Sequence, residues 1–295
     1  MYAVASFYPV RQALPVLPSS LQISIVTYKP DLPLLERTLD TLAIAIGAAQ
    51  DERVLRTVHL ALIDNSGDRG IAERVIEVGR ARFADSAVHV MFLHGHANIG
   101  YGAAHNLVLH GTGADYHLVL NPDVELAADA LVNAIRWLDE HGDVAALAPA
   151  VSDARGNPQY LCKRYPAVFD LLLRGLAPAR LRNLFARRLA HYEMHDVVDA
   201  IPPRDAVGIP IMSGAFMLAR REAIDRTGGF DPGFFLYFED FDWSVRLDDV
   251  GRNAFVPSVN IVHHGGSAAR KGLRHVGYFI RGGMRFYTKH GWKWL

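Results

Sequence analysis

Cysteine is nearly absent: Cys162 is the single one among 295 residues. A disulfide framework within the chain is therefore excluded, a Cys-based zinc site is disfavoured, and a reducing compartment fits. Neither sign of charge is in excess, with Lys+Arg and Asp+Glu both at 31. Bulk nucleic-acid binding needs a basic surplus to displace counterions, so no nucleic-acid partner is expected; a local basic patch remains compatible with neutrality. No apolar run is long enough to span a bilayer. The opening MYAVASFYPVRQALPVLPSS lacks a basic segment followed by an apolar core, so it does not read as a signal peptide. These absences together predict a cytoplasmic protein. There is no internal repeat and no low-complexity stretch. What is plentiful is apolar residues, half of the chain, enough for one large α/β domain or two fused smaller units.

Residues 1–20 read as an N-terminal tail or an extra edge segment. The strand-like LQISIVTY follows, and then Asp31 and Pro33 mark a helix start with Leu35, Leu39, Leu42 and Ile46 on one face. VHLALIDNS, VHVMFLH and YHLVL read as further strands. They alternate with a helix carrying Ile71, Val75 and Val78, a short one beginning near Ala103, and one carrying Leu131, Ile135 and Leu138. This alternation to about residue 140 predicts a Rossmann-like, mostly parallel sheet flanked by helices. The second half is less regular. VAALAPAV reads as a strand, residues 163–190 as Arg-rich and irregular, and IPIMSGAFMLARR as a strand running into a short helix. GGFDPGFFLYFED reads as a loop before the helix DWSVRLDDVG, and FVPSVNIVHHGG closes with strands.

Ligands of such sheets bind at the carboxyl ends of strands. Those ends carry Thr27-Tyr28, Asp64-Asn65-Ser66, Asn98 to Gly102, and Asn121-Pro122-Asp123, four polar clusters on one rim. Asp123 can ligate Mg²⁺ or Mn²⁺, which take oxygen ligands and bridge substrate phosphates; a capping Asp in a turn is the plainer alternative. Asp64 can reach a nucleobase edge or ribose, or simply close a turn. Gly100 and Gly102 let a backbone approach a phosphate before a helix, but Ala103 and Ala104 break the dinucleotide fingerprint. Asn106 lies one helical turn further on. Glu239-Asp240-Phe241-Asp242 sets three carboxylates at a helix start, as caps or as a general base with its neighbours. A helix N-terminus lowers a carboxylate's pKa, and burial by Phe235, Tyr237 and Phe238 would offset that. His263-His264 offers an imidazole ligand or an ordinary structural histidine.

The ordered series VTYKP, IDNS, NIGYGAAHN, LNPDV, MSGAFMLARR, GGFDPGFFLYFEDFDWSVRL and HHGGS resembles the family 2 inverting glycosyltransferases of the GT-A fold. Within them it looks most like the bacterial rhamnosyltransferase branch that builds O-antigen, lipopolysaccharide and related surface polysaccharides. The match runs from about residue 21 to about 290, and its most specific part is Met212 through Arg246. The resemblance implies one GT-A domain, with residues 21–140 as the nucleotide-sugar-binding half and 141–295 as the acceptor-binding and catalytic half. It implies a divalent cation, Mg²⁺ or Mn²⁺. Thr27 and Tyr28 would border the nucleotide, Asp64 the base, and Asn98 and Gly100 the pocket, with Asn106 behind them. Asp123 would bind the metal with His263, or with His264 as the alternative. Asp240 would be the base, with Glu239 orienting the acceptor or the loop, and Gly214 and Ala215 would sit beneath the sugar. Asn121 departs from the family's usual Asp-x-Asp motif and leaves one negative charge fewer on the cation.

The activity so implied is inverting transfer of a sugar, L-rhamnose from dTDP-L-rhamnose, to a hydroxyl of a glycan or lipid-linked glycan acceptor. A sugar nucleotidyltransferase of the same fold usually has a glycine-rich basic loop after the first strand, and VTYKPDLP has no glycine. A non-catalytic nucleotide- or glycan-binding domain has no need of the Glu239–Asp242 carboxylates. Finally, DLLLRGLAPARLRNLFARRLA sets Arg174, Arg180, Arg182, Arg187 and Arg188 among leucines, and RFYTKHGWKWL adds Lys and Trp. Both suit peripheral contact with a membrane surface at the inner face of the cytoplasmic membrane; a solvated helix face and a packed terminal segment are the alternative.

Overall fold

The computed structural model describes residues 17–202, 205–265 and 273–295. One sheet of nine strands dominates: β1 (Ser19–Thr27), β2 (Leu55–Asp64), β3 (His89–Leu93), β4 (Tyr116–Leu120), β5 (Val124–Leu126), β6 (Val144–Ser152), β7 (Val207–Gly208), β8 (Phe216–Arg220) and β9 (Arg252–His263). Their order is β3-β2-β1-β4-β8-β6-β9-β5, with β7 also on β9. β1 to β4, β6 and β9 run one way, and β5, β7 and β8 run against them, so the sheet is mixed and mostly parallel.

β1 and β4 are buried almost end to end because helices cover both faces of the sheet. On one face, Leu21, Ile23 and Ile25 pack with Leu35, Leu39 and Leu42 of α1 (Leu32–Asp51), and with Leu131 and Ile135 of α4 (Ala130–Glu140). The Asp31 carboxylate accepts from Leu34 N at 3.2 Å and caps α1, with Pro33 in its first turn. Asp68 caps α2 (Arg69–Phe83) in the same way, accepting from Gly70 N and Ile71 N. On the other face, Val26 and Ile63 meet Ala104 and Val108 of α3 (Tyr101–Leu109).

Several sequence expectations need correction. β1 begins at Ser19, inside the expected tail, and residues 1–16 of that tail lie outside the described residues. α3 starts at Tyr101 rather than near Ala103. The stretch expected to be irregular forms α5 (Val168–Leu176), α6 (Ala179–Leu184), α7 (Ala186–Tyr192) and α8 (His195–Val198), short because Pro178 and the left-handed Met194 interrupt them. Only Phe216–Arg220 of IPIMSGAFMLARR is strand; it leads into α9 (Arg221–Thr227). The closing segment is a single strand, β9, whose pairing with β6 jumps between Val256 and Asn260. That bulge re-aims its end toward β5.

After the glycine- and aromatic-rich loop comes α10 (Glu239–Asp248), and α11 (Leu273–His290), absent from the sequence reading, packs against both. Phe234 and Phe238 of the loop are buried with Phe286 and Tyr287 of α11, while Phe230 lies on Trp243 of α10, ring centroids 4.3 Å apart. Charge fixes the same joint. Asp242 is fully buried; its Oδ2 accepts from Arg246 Nε at 2.8 Å, and its Oδ1 lies 2.7 Å from Lys289 Nζ and 2.8 Å from His290 Nε2. Arg246 in turn donates to the carbonyls of Thr227 and Gly229, where the loop begins. Asp231 binds Arg285 at 2.9 Å and Lys289 at 3.0 Å. Burial works against the Asp231 charge, but the Gly233 N–H and the two cations outweigh it and hold the pKa at about 2. Removing one member of a buried ionic network leaves its partners uncompensated. We therefore expect Asp242→Ala to cost about 3–5 kcal/mol of stability, checked by urea unfolding; a loss under 1 kcal/mol would show that the network is not a structural joint.

Candidate active site

The parallel strands β1 and β2 end in register, Thr27 opposite Asp64. Thr27 is buried and donates to Asp64 Oδ1 at 3.2 Å; Ser66 Oγ donates to the same oxygen at 2.7 Å. Asp64 Oδ2 is buried with no partner, so Asp64 holds one unused acceptor at the rim. Thr27 thus positions Asp64 instead of facing the space above.

That space is a cavity of about 560 Å³ whose walls include Tyr28, Asn65, Asn98, Gly100, Tyr101 and Phe235. Asn65, passed over in favour of Asp64, organises one wall: it donates to Asn98 Oδ1 at 2.9 Å and Gly100 O at 3.1 Å, and accepts from Ile99 N. Gly100 has φ +96°, and a Cβ there would sit 2.5 Å from Phe235 O, so only glycine allows this loop to dock on the aromatic one. Tyr101 N donates to Phe235 O at that contact. The opposite wall comes from the start of α11, with Arg274, His275 and Tyr278. Asn106 is not at the cavity. It donates to Phe230 O at 2.7 Å and accepts from Phe230 N at 2.9 Å, anchoring the loop from behind.

Gly214 ties Asp240 to the strand end just before Asp123. Because β4 and β8 are antiparallel, the end of one lies beside the beginning of the other, and Asn121 N donates to Ala215 O at 3.0 Å. Gly214 N donates to Asp240 Oδ2 at 3.1 Å, while Gly214 O accepts from the Tyr101 hydroxyl at 2.7 Å. That hydroxyl also lies 3.0 Å from Asn121 Oδ1. Burial, with Glu239, Asp240 and Asp123 nearby, pushes the Tyr101 pKa up, so the phenol stays protonated.

Asp240 is partly exposed, and its Oδ1 accepts from Phe241 N at 3.0 Å. Burial raises its pKa despite the backbone N–H bonds that favour its charge. Glu239 is 4 % exposed, and its Oε2 has no partner. Burial and then the charge of Asp240 raise its pKa as well. With two carboxyls competing, Asp240 ionises first, because only it has backbone donors at both oxygens. Tyr237 and Phe238, immediately before the pair, have φ of +71° and +67°, a strained conformation for such residues, at a cost of about 1–3 kcal/mol each. The third carboxylate of the cluster, Asp242, belongs to the α11 joint and not to the site.

At the other station, β5 pairs with β9, Val124 opposite His263, and His264 N donates to Asp123 O. His263 Nε2 lies 3.5 Å from Asp123 Oδ1, a buried oxygen with no hydrogen-bond partner. Gln159, which nothing in the sequence singled out, holds this ring: Gln159 Nε2 donates to His263 O at 2.7 Å, and Oε1 lies 3.2 Å from His263 Nδ1. An amide oxygen only accepts, so Nδ1 carries the proton and the Nε2 lone pair faces Asp123. His264 points elsewhere, its Nε2 2.7 Å from Glu125 Oε1. Burial alone would raise the Asp123 pKa; a positive charge on the His263 side, such as a proton on Nε2 supplies, and then the charge of His264, lower it below the ordinary value. Among the described residues no three His, Cys, Asp or Glu side chains cluster as a closed metal cage. The orphaned Asp123 oxygen and the imidazole lone pair fit an open site, one that substrate phosphates and water would complete.

No protein-family profile matches the chain. Among curated proteins, the N-acetylglucosaminyl-diphospho-decaprenol L-rhamnosyltransferase of Mycobacterium tuberculosis H37Rv is 30% identical over 265 residues, covering 83% of this chain and 76% of the relative. The rhamnosyltransferase WbbL of Escherichia coli K12 is 26% identical over 152 residues, 51% of this chain and 52% of the relative. Among solved structures, GalNAc-T7 with UDP, GalNAc and Mn²⁺ superposes with a TM-score of 0.60 at 17% identity, over 83% of this chain but only 43% of that one. The mannosyltransferase PcManGT of Pyrobaculum calidifontis, with GDP-Man and Mn²⁺, gives 0.54 at 18% identity, over 92% of this chain and 70% of that one. At such identities the structures speak for the fold, and the curated relatives for the family. By both, the chain is an enzyme that belongs to the family 2 glycosyltransferases of the GT-A fold, in their bacterial rhamnosyltransferase branch.

Proposed function

We propose that this enzyme transfers L-rhamnose from dTDP-L-rhamnose to a hydroxyl of a lipid-linked glycan in surface polysaccharide synthesis, with inversion at the anomeric carbon. The observation that carries this reading is the pair of acidic stations, Asp240 tied through Gly214 and Tyr101 to Asn121, and Asp123 two residues further on: one a carboxyl with raised pKa, the other a carboxylate facing an imidazole lone pair. The mycobacterial relative, whose name gives a lipid-diphosphate-linked N-acetylglucosamine as acceptor, supports the acceptor class and the sugar. Residues 21–140 supply the nucleotide side, with Tyr28, Asn65, Asn98 and Gly100 at the cavity. Residues 141–295 supply the acceptor side and the base.

In this mechanism Asp240, ionised, accepts the proton of the attacking hydroxyl from its place beside Gly214. Glu239, still protonated beside it, adds no second charge and leaves Asp240 a stronger base than an exposed Asp. Gly214 and Ala215 form the floor that keeps the sugar between the stations, and the neutral Tyr101 hydroxyl fixes that floor. Asp123 and His263 would hold a divalent cation, with Gln159 orienting the imidazole; Asn121 supports Tyr101 and is not a ligand. When bound, the cation supplies charge stabilisation to the departing diphosphate.

Two outcomes are expected. Asp240→Asn should lower kcat by about 10²–10⁴-fold with nucleotide binding kept, while Glu239→Gln should leave the acid limb of the kcat/KM profile in place. The sign follows from the raised Asp240 pKa: activity is lost as pH falls through it, above the usual Asp range, and an amide mimics the protonated Glu239. A limb that moves down by about a full pH unit in Glu239→Gln, worth about 1.4 kcal/mol, would show that Glu239 is charged in the working enzyme. Separately, Asp123→Ala should abolish Mn²⁺ binding by the protein–nucleotide complex, read by electron paramagnetic resonance, and should reproduce the effect of chelator on turnover. Full turnover in excess chelator would remove the cation from the mechanism. Product analysis tests the class of reaction: nucleoside diphosphate is expected, and pyrophosphate would indicate nucleotidyl transfer instead.

A further inference from the structure

The chain is neutral as a whole, but its charge is unevenly placed. No Asp or Glu follows Asp249, and none lies between Leu171 and Tyr192, a stretch with five arginines. The fold brings these two segments together: Leu171 and Tyr192, at the ends of the second, are buried with Phe286 and Tyr287 of α11, and the residues just before Leu171 bond to the end of the chain. Val168 N donates to Lys293 O at 2.8 Å, and the Tyr165 hydroxyl donates to Gly291 O at 2.7 Å. Tyr287 on α11 donates to Pro166 O. Helices α5 to α7, α11 and the last five residues therefore form one contiguous unit.

Its exposed side chains are apolar and basic. On α11, Val276, Ile280 and Met284 recur every fourth residue and are all exposed, so they form one stripe. Trp292 and Trp294 stack on each other at 5.3 Å, and Trp292 stacks on Tyr287 at 5.2 Å, yet Trp294 remains 64 % exposed and Leu295 75 %. On α6, Leu181 is exposed and Leu184 is 76 % exposed. Arg188 pairs with Asp170 and Arg174 with Glu193. Arg180, Arg182, Arg187, Arg281 and Lys293 are exposed and have no ion pair among the described residues.

Exposed leucine and isoleucine do not gain from water, and unpaired arginines do not gain from an apolar partner. A bilayer interface satisfies both, since acyl chains receive the aliphatic side chains, headgroup depth suits tryptophan, and anionic phosphates pair with arginine. We infer that α6, the outer stripe of α11 and the Trp292–Leu295 tail form a docking face for an anionic phospholipid surface. The start of α11 also lines the cavity, and Tyr237 and Phe235 of the catalytic loop touch its His275 and Tyr278. Docking would bring the catalytic rim beside the membrane. The inference holds whatever the donor and acceptor are, because vesicle binding requires neither.

The test is flotation of the full chain with phosphatidylcholine vesicles, with and without phosphatidylglycerol, at low and high salt. Flotation is expected only with phosphatidylglycerol, weakening as salt screens the arginines. Removing a basic charge costs about fivefold in partition, so R180E/R182E/R187E together should lower it by about 100-fold or more, with unchanged thermal melting showing that the fold survives. W292S/W294S should abolish quenching of tryptophan emission by brominated phosphatidylglycerol, since Trp243 is fully buried and Trp137 lies on α4. Failure to float with either vesicle, or variants that float like the wild type, would overturn the inference. So would a dimer in solution that the same variants dissociate, which would assign the face to a second copy of the chain.

Discussion

The antiparallel contact between β4 and β8 is the constraint on which the site depends. A parallel neighbour in that place would bring its carboxyl end to the rim. An antiparallel one brings its beginning, and with it the Ser213–Ala215 turn, level with Asn121 and Asp123. From there one glycine reaches both ways, its N–H to Asp240 and its carbonyl to Tyr101. One turn thus ties Asp240 to the strand end that precedes Asp123, although the two acids lie 117 positions apart (123 and 240). The loop before Asp240 is held from its other side by α11, through aromatic burial and the Asp231 and Asp242 ion pairs.

The same rim keeps its carboxyls in opposite electrostatic conditions. Asp123 faces imidazoles that favour its charge, whereas Glu239 and Asp240 crowd each other in a poorly solvated place that disfavours theirs. Environments that push like groups apart in pKa are how one site accommodates an ion at one end and a proton acceptor at the other. The helix N-terminus under Glu239 works against this, and burial outweighs it. Phe238, buried in the aromatic cluster and directly before Glu239, is itself one of the two positive-φ residues, so the strain at Tyr237 and Phe238 accompanies the placement of the acids.

The first half of the fold was legible because its strands are buried on both faces and its helices carry caps and a regular apolar period, as α1 does from Asp31 to Ile46. The four polar strand ends were legible for the same reason, since the alternation fixes which ends share a rim. The second half was harder to read. Helices α5 to α8 are each under ten residues and interrupted, so no period builds up. α11 follows residues with few helix signals, and its Gly282 and Gly283 resemble loop in sequence although they give room for Tyr237 and Phe238. Side-chain aim was the least legible. Asn65 and Asp64 are adjacent, but strand alternation turns one to the cavity and the other to Thr27. Asn106 sits at the right helical spacing yet faces Phe230, and Gln159 gave no signal because its partner is 104 residues away.

The cavity is bounded by two kinds of wall. One is made of sheet ends and of hydrogen bonds from the Asn65 side chain to Asn98 and Gly100, where a substitution disturbs several segments at once. The other is made of Phe235 against Tyr278 and Tyr237 against His275, contacts between rings at the start of a helix that is not paired into the sheet. Such a wall can be recut residue by residue without changing strand register. A change in what the cavity admits has an inexpensive place to accumulate there, since substitutions at Arg274, His275 and Tyr278 leave the acidic stations as they are.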